Sequence, residues 1–275
     1  MLEALYERDR DLFVPSILTA GPWSPDAQHG SAPAALLARA GQRFEPGEPI
    51  DGAAGAMEVA RVTVELLRPV PLAPVKVTAT WLRPGKKVQL VGVNMTAGDT
   101  EVARATLLRI RRKAVRLPDS LPATERALRD APAGPDAGTT SAPPWARHVT
   151  EPAFHSHAVE HRFVAGGFDR PGPARDWIRL RVPVVAGEQS SPLCRVMAAS
   201  DFGNGVSWEL SRDDGYQFIN PDLTVYLHRR PQGEWICLDA ATYPSPDGVG
   251  LAESMLYDER GPIGRSLQSL LLDQI

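Results

Sequence analysis

Cysteine is nearly absent from this 275-residue sequence, with Cys194 and Cys237 the only two. Two thiols far apart make no disulfide framework, which points to a reducing compartment. Charge of one sign is missing as well: 30 Lys and Arg face 33 Asp and Glu, a net −3, so the chain lacks the electrostatic footprint of a nucleic-acid binder. No apolar run reaches membrane-span length, and the segment from Met1 to Arg10 has no signal-peptide stretch. The expectation is a cytoplasmic protein with no nucleic-acid or membrane partner. A serine-hydrolase G-x-S-x-G, a phosphate-binding Walker loop and a dinucleotide G-x-G-x-x-G do not occur.

What is present is organised around Ser190 to Gly205, SSPLCRVMAASDFGNG. Ser191 stands in capping range and Pro192 pre-sets the first helical turn. Gly203-Asn204-Gly205 supplies residues that tolerate left-handed caps, so a helix is expected to stop there. Asp201 falls in its last turn, against the negative end of the helix dipole, where a carboxylate costs stability and therefore invites a function.

Residues 2–20 read as a polar lead-in, and Gly21 to Ser31 as a turn-rich loop. The loop feeds a second helix, Pro33 to Ala40, apolar around most of its circumference and so expected to be buried. Four runs of period-two patterning follow, Val59–Leu67, Val75–Leu82, Val88–Met95 and Val102–Ile110, an antiparallel meander. Residues 117–144 are rich in proline and small residues, with one short helix expected around Glu125-Arg126-Ala127-Leu128; the domain boundary falls here. The divisions are 1–116, a linker at 117–150, and 151–275.

The second part repeats the first. Thr63 to Arg68 aligns with Thr224 to Arg229 at an offset of 161 residues, 229 minus 68, and Arg104 aligns with Arg265 at the same offset. One ungapped offset across that span argues for two copies of a single helix-plus-sheet unit.

These features resemble the TesB-like acyl-CoA thioesterase superfamily. The resemblance rests on Gln28-His29-Gly30 before an alanine-leucine helix, Leu66-Leu67-Arg68-Pro69, Ser191-Pro192-Leu193, Ala199-Ser200-Asp201 with Asn204-Gly205, and Leu223 to Arg229. It implies an α+β double hot-dog, two antiparallel sheets each wrapped around a central helix, and a homodimer of such chains. It also implies hydrolysis of a fatty acyl-CoA by activated water, with no cofactor and no metal. In such relatives an aspartate, a threonine and a glutamine hold the water. Asp201 matches the aspartate, the threonine position is placed on Asn220, and the glutamine position is placed on Leu256. Asp201 is the expected base, with Asn220 and Asn204 orienting.

For substrate binding the candidates are His29 and Gly30, at a helix N-terminus with backbone donors for an oxyanion, together with Gly205, Trp208 and Phe202. A non-catalytic acyl-CoA or acyl-chain binder on the same fold is the alternative, favoured by Leu256. A hot-dog enoyl hydratase is a lesser one, since Ser200 to Gly205 lacks the proline and histidine of G-D-x-N-P-x-H. His155, His157 and His161 are placed on one face of a strand, without a metal-binding pattern.

Overall fold

The computed structural model describes residues 4–22, 24, 26–45, 57–118, 131–141 and 152–275. The expected short helix at Glu125–Leu128 lies outside the described residues. The first part contributes β1 (Tyr6–Asp9), β2 (Leu12–Pro15), α1 (Ser31–Arg43), β3 (Met57–Leu66), β4 (Val75–Arg83), β5 (Val88–Ala97) and β6 (Thr100–Arg111). The second adds β7 (Val159–Ala165), β8 (Ala174–Leu180), α2 (Pro192–Ser200), α3 (Gly203–Val206), β9 (Tyr216–Ile219), β10 (Asp222–Leu227), β11 (Trp235–Pro244), β12 (Val249–Asp258) and β13 (Gly261–Gln274).

Alternating burial along these strands closes them into one antiparallel sheet, ordered β1-β2-β4-β5-β6-β3-β10-β13-β12-β11-β8-β7, with β9 paired to β13. Its centre is the seam between the copies. β3 and β10 run antiparallel there with Thr63 opposite Thr224, and the Thr224 hydroxyl donates to that of Thr63 at 3.3 Å across a sequence separation of 161. The repeat extends outward in register. Glu65 pairs with Arg104 as Tyr226 does with Arg265, and Trp81 pairs with Val91 as Thr242 does with Ala252. The two meanders are therefore related by a local two-fold through the threonine pair, the double hot-dog arrangement.

The helices lie inside. In α1, Ala32, Ala34, Ala35, Leu36, Leu37 and Ala38 are all at most 1% exposed, as expected of a helix apolar all round. Burying each leucine contributes on the order of 1.5–3 kcal/mol, and the alanines let backbone approach from several sides. α2 starts as expected, with Ser191 Oγ accepting from the Cys194 amide at 3.3 Å and Pro192 in the first turn. The two helices are antiparallel. At one end Ser191 Oγ donates to Gln42 Oε1 at 2.6 Å, while Glu188 binds both Arg39 and Arg43. At the other end Gly30 meets Asp201.

Three local expectations are corrected. The lead-in holds a hairpin, β1 and β2, whose alternation is too short and too polar to stand out as sequence; β2 pairs with the edge of β4. Gly203-Asn204-Gly205 does not end the helical path: Asp201 and Phe202 stay in the right-handed α region and α3 follows at once. The run from Ala153 is not continuous strand, because Phe154–Ala158 coils into a single π-helical turn before β7. His155 and His157 therefore leave the strand and His161 stays on it. In the linker region Thr139 pairs with Phe163 through two backbone bonds, capping the exposed edge of β7.

Candidate active site

Asp201 closes α2, and its side chain is only 5% exposed. Its two oxygens have different surroundings. Oδ1 accepts from Asn220 Nδ2 at 2.7 Å and from Gln268 Nε2 at 3.1 Å. Oδ2 lies 3.2 Å from His29 Nδ1, across the interface between the copies. Two amide donors fix the carboxylate plane and partly offset the cost of burying it near a helix C-terminus.

Each donor is placed by its own element. Asn220 ends the approach to β10, one residue after β9. Gln268 is on β13, facing inward and 1% exposed. Its Nε2 also donates to the Asp201 backbone carbonyl at 3.2 Å, while its Oε1 accepts the Asn204 amide at 3.3 Å. The glutamine thus ties the end of α2 to the start of α3. Any Cβ at Gly30 would stand 2.7 Å from Asp201 Oδ2, so the missing side chain is what allows this approach.

His29 is 9% exposed, and its ring packs against Phe154 and Phe202, with centroids at 5.1 and 4.7 Å, while the two phenyl rings stack on each other at 5.9 Å. Its Nδ1 accepts the Ser31 amide at 3.2 Å. That nitrogen has one in-plane site, contested by Ser31 and Asp201. It can accept from Ser31 or donate toward the carboxylate, not both at once. Beside it, burial and the neighbouring histidines push the His155 imidazole down to about 3.

An N-terminal acyl-CoA thioesterase domain model matches residues 19–110, and the corresponding C-terminal domain model matches residues 124–272, more than half of the chain. The chain belongs to the acyl-CoA thioesterase family. Among solved structures, the tesB protein of Mycobacterium avium subspecies paratuberculosis is 18% identical, with TM-score 0.64 over 98% of this chain and 96% of that one. The acyl-CoA thioesterase II TesB2 of Mycobacterium marinum is 14% identical, with TM-score 0.60 over 98% and 94%. A hot-dog-fold protein of Alicyclobacillus acidocaldarius is 14% identical, with TM-score 0.67 over 98% and 96%. Comparison with curated protein sequences gives no match.

In this thioesterase-family chain the expected site residues divide. Asp201, Asn220, His29, Gly30 and Phe202 come together. Asn204 does not touch the carboxylate: its amide holds Gln268, and its Oδ1 accepts from Thr242 Oγ1 at 3.4 Å. Gly205 is exposed, with open space where a Cβ would go, so nothing demands a glycine there. Trp208 donates through Nε1 to the Phe168 carbonyl at 3.2 Å. Leu256, given the glutamine position, is fully buried and pairs with Leu238 and Gly264; the amide beside Asp201 is that of Gln268.

The repeat itself held the signal for Gln268. At the offset of 161 it corresponds to Leu107, fully buried and inward-facing. By the same offset Asp201 and Asn220 correspond to Ala40 and Val59. Three apolar residues in one copy become three hydrogen-bonding residues in the other. A polar residue in a core slot of a repeat is a functional marker that composition alone does not reveal.

Proposed function

We propose that the chain hydrolyses a fatty acyl-CoA thioester to free acid and CoA, using a water activated by Asp201. The observation that carries this reading is the two-amide clamp on Oδ1, which leaves Oδ2 turned to His29 and Gly30. A water bound to Oδ2 is aligned for attack by the fixed carboxylate, and Asn220 and Gln268 hold that carboxylate in place. As the water oxygen bonds to the carbonyl carbon, its proton passes to Asp201, with His29 Nδ1 beside it. The oxyanion is met by the Gly30 backbone N–H at the start of α1, where the helix dipole favours negative charge; the His29 and Ser31 amides are held by the Thr19 carbonyl and by His29 Nδ1. Collapse breaks the C–S bond, and the stored proton goes to the departing thiolate.

A homodimer in the cytoplasm is the assembly we favour. Val249 pairs with Leu271, which pairs with Ile219, while Tyr243 pairs with Leu251, so all five exposed apolar residues share one outer sheet face. Among the described residues no helix is long and apolar enough to cross a membrane.

The test is thiol release from short, medium and long acyl-CoAs by wild type and Asp201→Asn. Turnover that drops about 10²-fold or more in the variant is the expected result. No cleavage of any acyl-CoA, with equal stabilisation of both proteins by binding one, would replace a hydrolase with a binder.

A further inference from the structure

We propose that His161 and Asp176 form a second polar subsite, against the Phe202 ring, that receives a hydroxyl or keto oxygen carried by the acyl chain. The proposal takes its ligand class from the hydrolase reading above and adds the kind of chain selected.

β7 and β8 pair with Phe163 opposite Asp176 and His161 opposite Ile178, which brings His161 and Asp176 together diagonally. His161 Nδ1 and Asp176 Oδ2 are 2.5 Å apart. The carboxylate side chain is 0% exposed and the imidazole 6%. This bond uses one ring nitrogen only. Nε2 is buried and has no hydrogen-bond partner among the described residues. A hairpin needing only cohesion would gain as much from two apolar residues, without stranding a buried nitrogen. An unsatisfied atom this deep calls for an occupant.

The surroundings narrow that occupant. Phe168 and Phe202 meet the imidazole edge-to-face, at 5.0 and 4.8 Å, and Phe163 stacks at 6.2 Å. Phe202 directly follows Asp201, and its ring also meets His29 at 4.7 Å and Phe154 at 5.9 Å. One phenyl ring thus touches both the imidazole beside Asp201 and the second imidazole. The three rings packed on this imidazole are apolar, as an alkyl chain requires, and His161 Nε2 and Asp176 Oδ1 are the two atoms of the pair left without a hydrogen-bond partner among the described residues. With Asp176 holding Nδ1, Nε2 either accepts from a hydroxyl or, when it carries the ring proton, donates to a carbonyl oxygen. A plain alkyl tail answers neither state. A terminal carboxylate is disfavoured, because Asp176 would face a like charge in a dry site.

The test compares chain-length-matched acyl-CoAs, saturated against hydroxy- or keto-substituted at successive carbons. Their affinities for full-length Asp201→Asn protein are measured by calorimetry. At one or more positions the oxygenated ligand is expected to bind about tenfold or more tightly, the effect of one buried hydrogen bond. Adding His161→Phe erases the difference. Asp176→Asn, nearly isosteric, serves the same purpose if the phenylalanine protein does not fold. Equal affinities at every position, or a preference that survives both substitutions, overturns the subsite. Thiol release by wild type on the same panel separates the two readings. Turnover without discrimination removes the subsite and leaves the hydrolase; discrimination in binding without turnover removes the hydrolase and leaves the subsite.

Discussion

His29 Nδ1 stands 3.2 Å from Asp201 Oδ2, joining the loop before the first central helix to the end of the second across 172 positions of sequence, 201 minus 29. Neither half of the repeat contains the pair alone. His29→Phe keeps a flat ring against Phe154 and Phe202 but removes the nitrogen. Turnover of acyl-CoA should fall about tenfold or more, while the thermal midpoint moves by only a few degrees. A variant with unchanged kcat would take His29 out of the proton path.

Gln268→Leu restores the residue that the repeat carries at Leu107. The leucine suits the buried slot, but it removes the bonds to Asp201 and to the Asn204 amide. These effects oppose each other, so the unfolding free energy should change by no more than about 1 kcal/mol. Activity should drop by about 10-fold to 10²-fold, since the carboxylate loses half of its clamp. Denaturant melts and thiol release, run side by side, check whether the two readouts separate.

His155 supplies a signature in acid. Burial and neighbouring histidines depress its folded-state value to about 3, below the ordinary histidine value near 6.5. Between those values the unfolded chain binds a proton that the folded chain does not, so stability falls as pH is lowered through that window. The slope from this one group approaches about 1.4 kcal/mol per pH unit mid-window. His155→Asn, which cannot titrate there, should flatten the curve of unfolding free energy against pH between about 6 and 3.5. A curve parallel to wild type would remove His155 as the cause.

Much of the architecture was legible because it rests on short-range physics. The Ser191 cap, the proline start of α2, the buried alanine-leucine helix and the alternation of β3 to β6 each depend on side chains within a few residues. The offset of 161 was readable for the same reason, and it reappears as strand register from Glu65 and Arg104 to Tyr226 and Arg265. The β1–β2 hairpin was missed because each strand has four residues and β1 is mostly exposed; its pairing with β4 supplies what its sequence lacks.

By itself, then, the sequence determined two copies of one helix-and-sheet unit and the terminal acid of the second helix, and it offered Asn204 and Asn220 alike, of which Asn220 reaches that acid. Tertiary structure alone decided which amide completes the clamp, that His29 faces Asp201, and that His161 is bound to Asp176. Gln268 meets Asp201 across 67 residues, a separation spanned by strand registers and a bulge between Leu256 and Tyr257. Counting along a chain cannot fix such a register, because a slip of one residue turns every side chain to the other face. Only the packed sheet, with one face buried against the helices, selects which face Gln268 presents.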